Sequence, residues 1–145
     1  MNDLILQKLE VGRLDNSYKQ TPAHATPAAG ATLLTIADLR TGMLVQDPDH
    51  ATTCVWTMPT AALAVAGCPG VQIGDSFNFG IVNTGTTTED ETITLVAGVS
   101  GTVYGNLTTE NDNVSGIDAS GSSLWRVRFT NVTTDSEAYV VYRLA

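Results

Sequence analysis

The feature that most constrains the fold is an alternation of apolar and polar residues near the end of the chain. In residues 124–129, every second side chain is large and apolar. A period of two is what a pleated strand produces, because successive side chains point to opposite faces. The segment therefore predicts a strand with Trp125, Val127 and Phe129 on one face and with Arg126 and Arg128 on the other.

A second strand-like segment, residues 138–144, is largely apolar on both faces. A strand of that kind has to be covered on both sides, once by its own core and once by something else. We expect another subunit to provide the second cover. The predicted interface residues are Tyr139, Val141 and Arg143, together with Arg126 and Arg128 of the preceding strand. Ordinary solvent exposure of Arg126 and Arg128 is the alternative, and the sequence leaves it open.

Length and composition favour a single all-β domain. The chain has 145 residues, of which 43% are hydrophobic, which is enough for one packed core but not for two full domains. Glycine and proline mark the turns, while the many β-branched threonines and valines favour strands. About eight or nine candidate strands follow one another at intervals of roughly 8–12 residues, which is typical of an antiparallel β-sandwich or barrel.

One short helix interrupts the predicted strands. The candidate strands are residues 32–36, 43–46, 52–57, 76–82, 92–97 and 102–107 and a weaker segment at 114–117, followed by the two closing segments; residues 71–73 lead into the strand at 76–82. Residues 60–67 favour a helix instead, because Thr60 can cap its start, alanine favours its interior, and Gly67 with Pro69 ends it. We expect this helix to close one end of a sandwich.

Residues 1–31 differ from the predicted domain, residues 32–145. Residues 21–30 are rich in proline and alanine and lack large apolar side chains, so they favour an extended spacer. Four large aliphatic side chains lie close to the start of the chain: Leu4, Ile5, Leu6 and Leu9. We predict an N-terminal arm whose apolar tip attaches to a larger surface. The alternative is a frayed terminus with no role.

The charge pattern disfavours nucleic acid as a partner. The formal net charge is −8, and no Lys or Arg occurs between Arg40 and Arg126. Such a surface repels a phosphate backbone. No segment approaches the ~20 apolar residues that cross a bilayer, and the N-terminus lacks the features of a signal peptide. We therefore expect no membrane partner and no export. Cys54 and Cys68 are predicted to be free thiols.

No group of residues favours catalysis, a cofactor or a metal ion. Gly74-Asp75-Ser76 matches the start of one lipase and esterase motif, but a serine nucleophile needs a histidine base. The histidines, His24 and His50, both lie upstream, and we predict no enzyme. The acidic runs lack the spacing of a calcium loop and are better explained as solvated loop tips. Core positions are favoured for Trp56 and Trp125 over stacking on sugars.

Three sequence stretches resemble a known class of protein. They are TMPTAALAVAGCPGVQIGDSFNFGIVNTG, then GVSGTVYGN, then WRVRFTNVTTDSEAYVVYRL. Over roughly residues 42–145 the chain resembles head decoration, or cement, proteins of tailed bacteriophages, many of them marine. The resemblance implies a β-sandwich of jelly-roll type that assembles as homotrimers on the outer capsid surface. Residues 1 to about 40, which include the arm, carry no such resemblance.

The resemblance also implies partners and a location. The major capsid protein and further copies of the chain are the expected partners, and the virion's outer capsid surface is the expected location, after assembly in the bacterial cytoplasm. The implied function is a structural one, the stabilisation of junctions between capsomers. Another possibility is a carbohydrate- or receptor-binding module of a head fibre, which exposed Trp or Tyr clusters would favour.

Overall fold

The computed structural model describes residues 24–48, 54–85, 91–110 and 121–145. Within these ranges the chain is mostly strand, which confirms the predicted β-rich class. The strands are β1 (Ala31–Leu33), β2 (Met43–Gln46), β3 (Cys54–Thr57), β4 (Ser76–Asn83), β5 (Thr92–Val96), β6 (Gly101–Tyr104), β7 (Thr108–Glu110), β8 (Gly121–Asn131) and β9 (Ala138–Arg143). The helices are α1 (Ile36–Arg40) and α2 (Ala61–Ala66).

The strands form two sheets, and both sheets are mixed. One sheet has four strands in the order β1-β3-β5-β7, and the other has five in the order β2-β4-β8-β9-β6. Parallel pairs are β1 with β3, β3 with β5, β2 with β4, and β6 with β9. The expectation of antiparallel sheets is therefore wrong. Up to β8 each strand lies in the other sheet from the strand before it, so sheet neighbours are mostly not neighbours in sequence.

Both sheets contribute to one hydrophobic core. In β8 the burial alternates as the sequence predicts, with Trp125, Val127 and Phe129 buried and Arg126 and Arg128 exposed. Trp56 of the four-stranded sheet and Trp125 of the five-stranded sheet are both 0% exposed, which confirms their core positions. The indole rings fill the space between the sheets and are not offered to a ligand.

The chain forms two short helices where one was expected. In α2 the Thr60 hydroxyl accepts the Leu63 N–H at 3.3 Å, so the predicted cap is confirmed. Residues 36–40 form α1, and strand β1 ends at Leu33. A capping box starts α1, in which Thr35 and Asp38 each accept the other's backbone N–H. The Thr-x-x-Asp spacing is a helix-start signal that could have predicted this helix.

Residues 24–33 lie along an edge of each sheet. The Ala25 N–H donates to Met43 O, and the Val45 N–H donates to Ala25 O, both at 3.0 Å, so this residue extends the edge of the five-stranded sheet. Six residues later, β1 pairs with β3 in the other sheet. The end of the predicted spacer thus joins the two sheets. The four apolar residues of the arm tip, Leu4, Ile5, Leu6 and Leu9, lie outside the described residues.

Candidate functional site

The candidate site is the solvent-facing side of the five-stranded sheet, called here the outer face. It is centred on β8 and β9 and extends to β6 at one edge and β2 at the other. Register places Arg126 opposite both Asn78 of β4 and Tyr142 of β9, and it places Tyr104 of β6 next to Tyr142. These four side chains form one row across the sheet, called here the central row. The row combines an amide, a guanidinium and two phenols.

The outer face concentrates the exposed apolar side chains of the described residues. Nine large hydrophobic residues are exposed within the described ranges. Five of them belong to this face: Met43, Tyr104, Leu124, Tyr142 and Leu144. Scattered exposed apolar residues are ordinary, but a contiguous group marks an interaction surface. The concentration on one sheet face therefore indicates a binding surface.

The central row is held together by contacts between neighbouring strands. The rings of Tyr104 and Tyr142 stack with their centroids 5.7 Å apart and their planes 16° apart. They are 53% and 38% exposed. The Arg126 Nε–H donates to the Asn78 Oδ1 at 2.9 Å. Because aromatic stacking and this hydrogen bond restrict the rotamers, the row loses less entropy on binding than free side chains would.

The outer face carries two arginine side chains in a chain of formal net charge −8. Arg126 and Arg128 are exposed on it. No described strand residue on this face carries a carboxylate. Tyrosine, methionine and arginine are the residue types enriched at protein–protein interfaces, whereas glutamate and aspartate are depleted there. The composition of the face is therefore typical of a surface that binds another protein.

Two predicted interface residues lie in the core and not on this face. Tyr139 and Val141 are 1% and 0% exposed, since their register partners are the buried Phe129 and Val127 of β8. They are therefore corrected to core residues. The alternate positions of β9, Val140 and Tyr142, lie on the outer face. The sequence missed Tyr142 because β9 is apolar on both sides and its pattern does not show which side is inward.

Arg143, also predicted at the interface, is engaged within the chain. Its guanidinium lies 5.7 Å from the centroid of the Trp125 ring. Its Nη1 donates to Thr108 O at 2.6 Å and to Asn106 O at 3.1 Å. Because Thr108 belongs to β7, these bonds connect β9 of the five-stranded sheet to the four-stranded sheet. The structure gives Arg143 a stabilising role between the sheets.

A second polar group, buried between the sheets, also ties them together. Ser123 of β8 accepts the Trp125 indole N–H at 2.7 Å, and its hydroxyl lies 2.6 Å from that of Thr109 in β7. Asn83 of β4 donates to Glu91 O at 2.7 Å. Buried polar groups are tolerated when they are hydrogen-bonded in this way. These contacts explain why polar residues line one end of the core, and they assemble no nucleophile with a base.

Tyr139 connects β9 to the segment that precedes α2. Its hydroxyl donates to Pro59 O at 2.8 Å and accepts the Gly98 N–H at 3.2 Å. Burial raises the pKa of the Tyr139 phenol above its ordinary value, and the Gly98 hydrogen bond partly offsets this. The folded chain therefore keeps this proton at a pH at which the unfolded chain releases it. The resulting stabilisation is complete below about pH 10 and is lost as pH rises through the folded-state pKa.

We expect Tyr139→Phe to lower the free energy of unfolding by about 1–3 kcal/mol at neutral pH, because Pro59 O and the Gly98 N–H lose their partner. The variant should also lose less stability than the wild type between about pH 8 and about pH 11, since one raised phenol pKa is gone. Urea unfolding followed by tryptophan fluorescence at both pH values measures this. Equal pH dependence in the two proteins would contradict the role given to Tyr139.

The two cysteines and the lipase-like tripeptide have structural explanations. Cys54 and Cys68 are free, and burial raises the pKa of the Cys68 thiol, with Arg40 partly opposing the shift. Asp75 accepts the Gln72 N–H at 3.0 Å, and its carbonyl accepts the Phe129 N–H at 3.0 Å, so it shapes the turn into β4. Ser76 is the first residue of β4. His24 is exposed, and His50 lies outside the described residues.

Among the described residues, no helix is both long and apolar enough to span a membrane. Those residues also contain no group of three or more His, Cys, Asp or Glu side chains placed to hold a metal ion. Comparison of the chain with protein-family models, curated proteins and solved structures finds no match. Its own geometry therefore supplies the basis for assigning a function.

Proposed function

We propose that this chain is a structural virion protein, a capsid decoration protein that trimerises on the outer surface of a phage head and stabilises capsomer junctions. The observation that carries the proposal is the outer face, an apolar, aromatic and arginine-containing surface on a rigid sheet. The sequence resemblance to head decoration proteins supports the same function. In this proposal the chain acts by binding and transforms no molecule.

The physical basis of such stabilisation is the surface buried when the protein binds. Apolar surface removed from water contributes about 25 cal/mol per Å². A trimer presents each contact three times, and linked contacts raise the effective concentration of the second and third after the first has formed. Modest contacts of each subunit with the major capsid protein can therefore sum to durable attachment. Bound across a junction, the trimer opposes its separation.

A finer assignment of the fold belongs to the same proposal. The two sheets share one core, and the resemblance implies a β-sandwich of jelly-roll type. A jelly roll consists of two Greek keys of antiparallel strands. The parallel pairs found here depart from that pattern, so any relation to the jelly roll concerns the two-layer architecture and not the strand directions.

Heads that lack the protein provide the test of this function. Purified chain added to such heads should bind until the sites are saturated and raise the temperature at which the heads release DNA. A variant with Tyr104→Ala and Tyr142→Ala removes the stacked pair and should shift that temperature less. A variant with Leu33→Ala and Leu63→Ala, two exposed residues away from the outer face, is the matched control and should act like the wild type. Unchanged heads at saturating wild-type protein would contradict the proposal.

The arm provides a separate prediction about attachment. Deleting residues 1–20 should leave a folded trimer, because residues 24–33, which join both sheets, are retained. This trimer should bind heads more weakly, because the apolar tip of the arm is gone. Deleting residues 1–33 removes Ala25 and β1 and should lower the free energy of unfolding as well. Thermal unfolding and head co-sedimentation distinguish the two effects. Undiminished binding by the shorter deletion would show that the arm is not the anchor.

A carbohydrate-binding module of a head fibre is the second candidate, and one observation favours it. Tyr104 and Tyr142 are exposed and stacked, and Tyr rings are common platforms for sugars. Both Trp side chains, by contrast, are buried. Binding to a panel of bacterial surface glycans, lost on Tyr104→Ala, would favour this function. Head stabilisation without glycan binding would favour decoration.

A further inference from the structure

We infer that the outer face is the surface through which copies of this chain bind one another, with Arg126 and Arg128 of one copy meeting carboxylates of the next. The inference rests on the proposed function for its biological setting and deepens it by naming the occupant of this face. It assigns the central row to contacts between subunits and leaves attachment to the head to other surfaces.

Charge complementarity is the first argument for a second copy as the occupant. The chain has 15 acidic and 7 basic residues. Among the described arginines, Arg143 donates to backbone carbonyls within its own chain, and Arg40 donates to Gly67 O. Arg126 and Arg128 are the described arginines exposed on a sheet face. A second copy therefore carries a net charge opposite in sign to these arginines, and this favours its encounter with the outer face.

The exposed apolar residues of the face and its uncharged edge strand supply the second argument. Leu124 is 40% exposed and Leu144 is 46% exposed, and they lie side by side next to the central row, where the Leu144 N–H donates to Leu124 O at 2.7 Å. Strand β6, which ends the sheet beyond Tyr142, contains no charged residue and no proline. Edge strands usually carry such residues as protection against pairing. An uncharged edge strand next to an apolar face is suited to a permanent partner.

The sign of the charges on the outer face also restricts the symmetry of the oligomer. A face that carries arginines and no strand carboxylates would repel the same face of another copy in a two-fold dimer. It fits a different, acidic surface of the next copy instead. Asp135, exposed in the loop between β8 and β9, offers one carboxylate of this kind. Head-to-tail contacts of this kind close into rings, and a ring of three agrees with the trimer of the proposed function.

Sedimentation equilibrium of the purified chain tests the inference without any capsid. We expect an oligomer of a 15.3 kDa chain whose association constant falls several-fold between about 0.05 M and about 0.5 M salt. The double variant Arg126→Glu and Arg128→Glu should weaken association about 100-fold or more. The matched variant Arg126→Lys and Arg128→Lys retains the charge and should weaken it far less. Far-ultraviolet circular dichroism and thermal unfolding establish that each variant is folded.

The outcomes separate this inference from the proposed function. A folded glutamate variant that is monomeric, beside an oligomeric lysine variant, supports the inference whether or not heads bind the protein. A wild-type monomer at micromolar concentration overturns it, as does a glutamate variant whose association constant is unchanged. If the glutamate variant associates as the wild type does but no longer binds heads, the outer face contacts the capsid protein. Oligomeric wild-type chain that ignores heads defeats the proposed function and leaves the inference standing.

Discussion

Replacing Trp125 with alanine is expected to lower the free energy of unfolding by about 3–5 kcal/mol, the usual cost of removing a large buried aromatic side chain. The ring is 0% exposed in the core between the two sheets. Its loss leaves a cavity, deprives Ser123 of the indole N–H, and removes the ring beneath the Arg143 guanidinium. Urea unfolding followed by circular dichroism measures the change.

Trp125→Phe is the matched control for that result. It keeps most of the apolar volume and removes the indole N–H that donates to Ser123. We expect a loss of about 1–2 kcal/mol, since one buried hydrogen bond is removed and the cavity is smaller. A Trp125→Ala variant whose free energy of unfolding lies within about 1 kcal/mol of the wild-type value would contradict the placement of Trp125 at the centre of the core.

Replacing Gly98 with alanine is expected to lower the free energy of unfolding by about 2–3 kcal/mol or more, within the upper range for overpacked sites. A Cβ at this position would collide with the backbone carbonyl oxygens of Met58 and Pro59. Backbone atoms cannot move aside as a flexible side chain can. The shift would also disturb the hydrogen bonds of Tyr139 with Gly98 and Pro59.

Gly80→Ala is the control for this effect of crowding. Gly80 lies in β4 on the outer face, where a Cβ would approach its nearest neighbours only at ordinary contact distances of 3.8 and 3.9 Å. Alanine also restricts the unfolded chain more than glycine does, so we expect a change between zero and about 1 kcal/mol of stabilisation. Thermal unfolding of both variants under identical conditions checks the pair. Similar destabilisation in the two would show that crowding at Gly98 is not the cause.

The sequence predicts those parts of the fold that depend on neighbouring residues. The alternation in β8 specifies which of its side chains are buried, because large apolar residues occupy one face of residues 125–129 and arginines the other. The cap at Thr60 specifies the start of α2 for the same local reason. The Thr35–Asp38 capping box shows that α1 was equally accessible to local reasoning. The strand predicted at residues 32–36 was extended too far, since it includes Ile36, the first residue of α1.

Strand pairing could not be predicted in the same way. The parallel register of β2 with β4 joins residues separated in sequence by β3 and α2, and β3 belongs to the other sheet. Turn residues specify where a strand ends but not which sheet the chain enters next. The assumption of antiparallel neighbours therefore held for β8 and β9, which a short turn connects, and failed for β6 and β9.

The candidate site was predicted in part for a related reason. Arg126 and Arg128 could be placed on a solvent-facing side, since they alternate with large apolar residues. Tyr142 could not be separated from Tyr139, because β9 is apolar on both sides and only its register with Phe129 of β8 turns Tyr139 inward. Tyr104 joins the face through a parallel pairing of β6 with β9 that no local pattern indicates.

The central claim is that the chain works by binding to copies of itself and to a larger shell. Co-sedimentation with heads that lack the protein tests this claim most directly, with bound and free chain quantified over a range of concentrations. We expect saturable binding in which the number of bound chains is a multiple of three. A chain that stays in the supernatant as a 15.3 kDa monomer at every concentration would contradict the account.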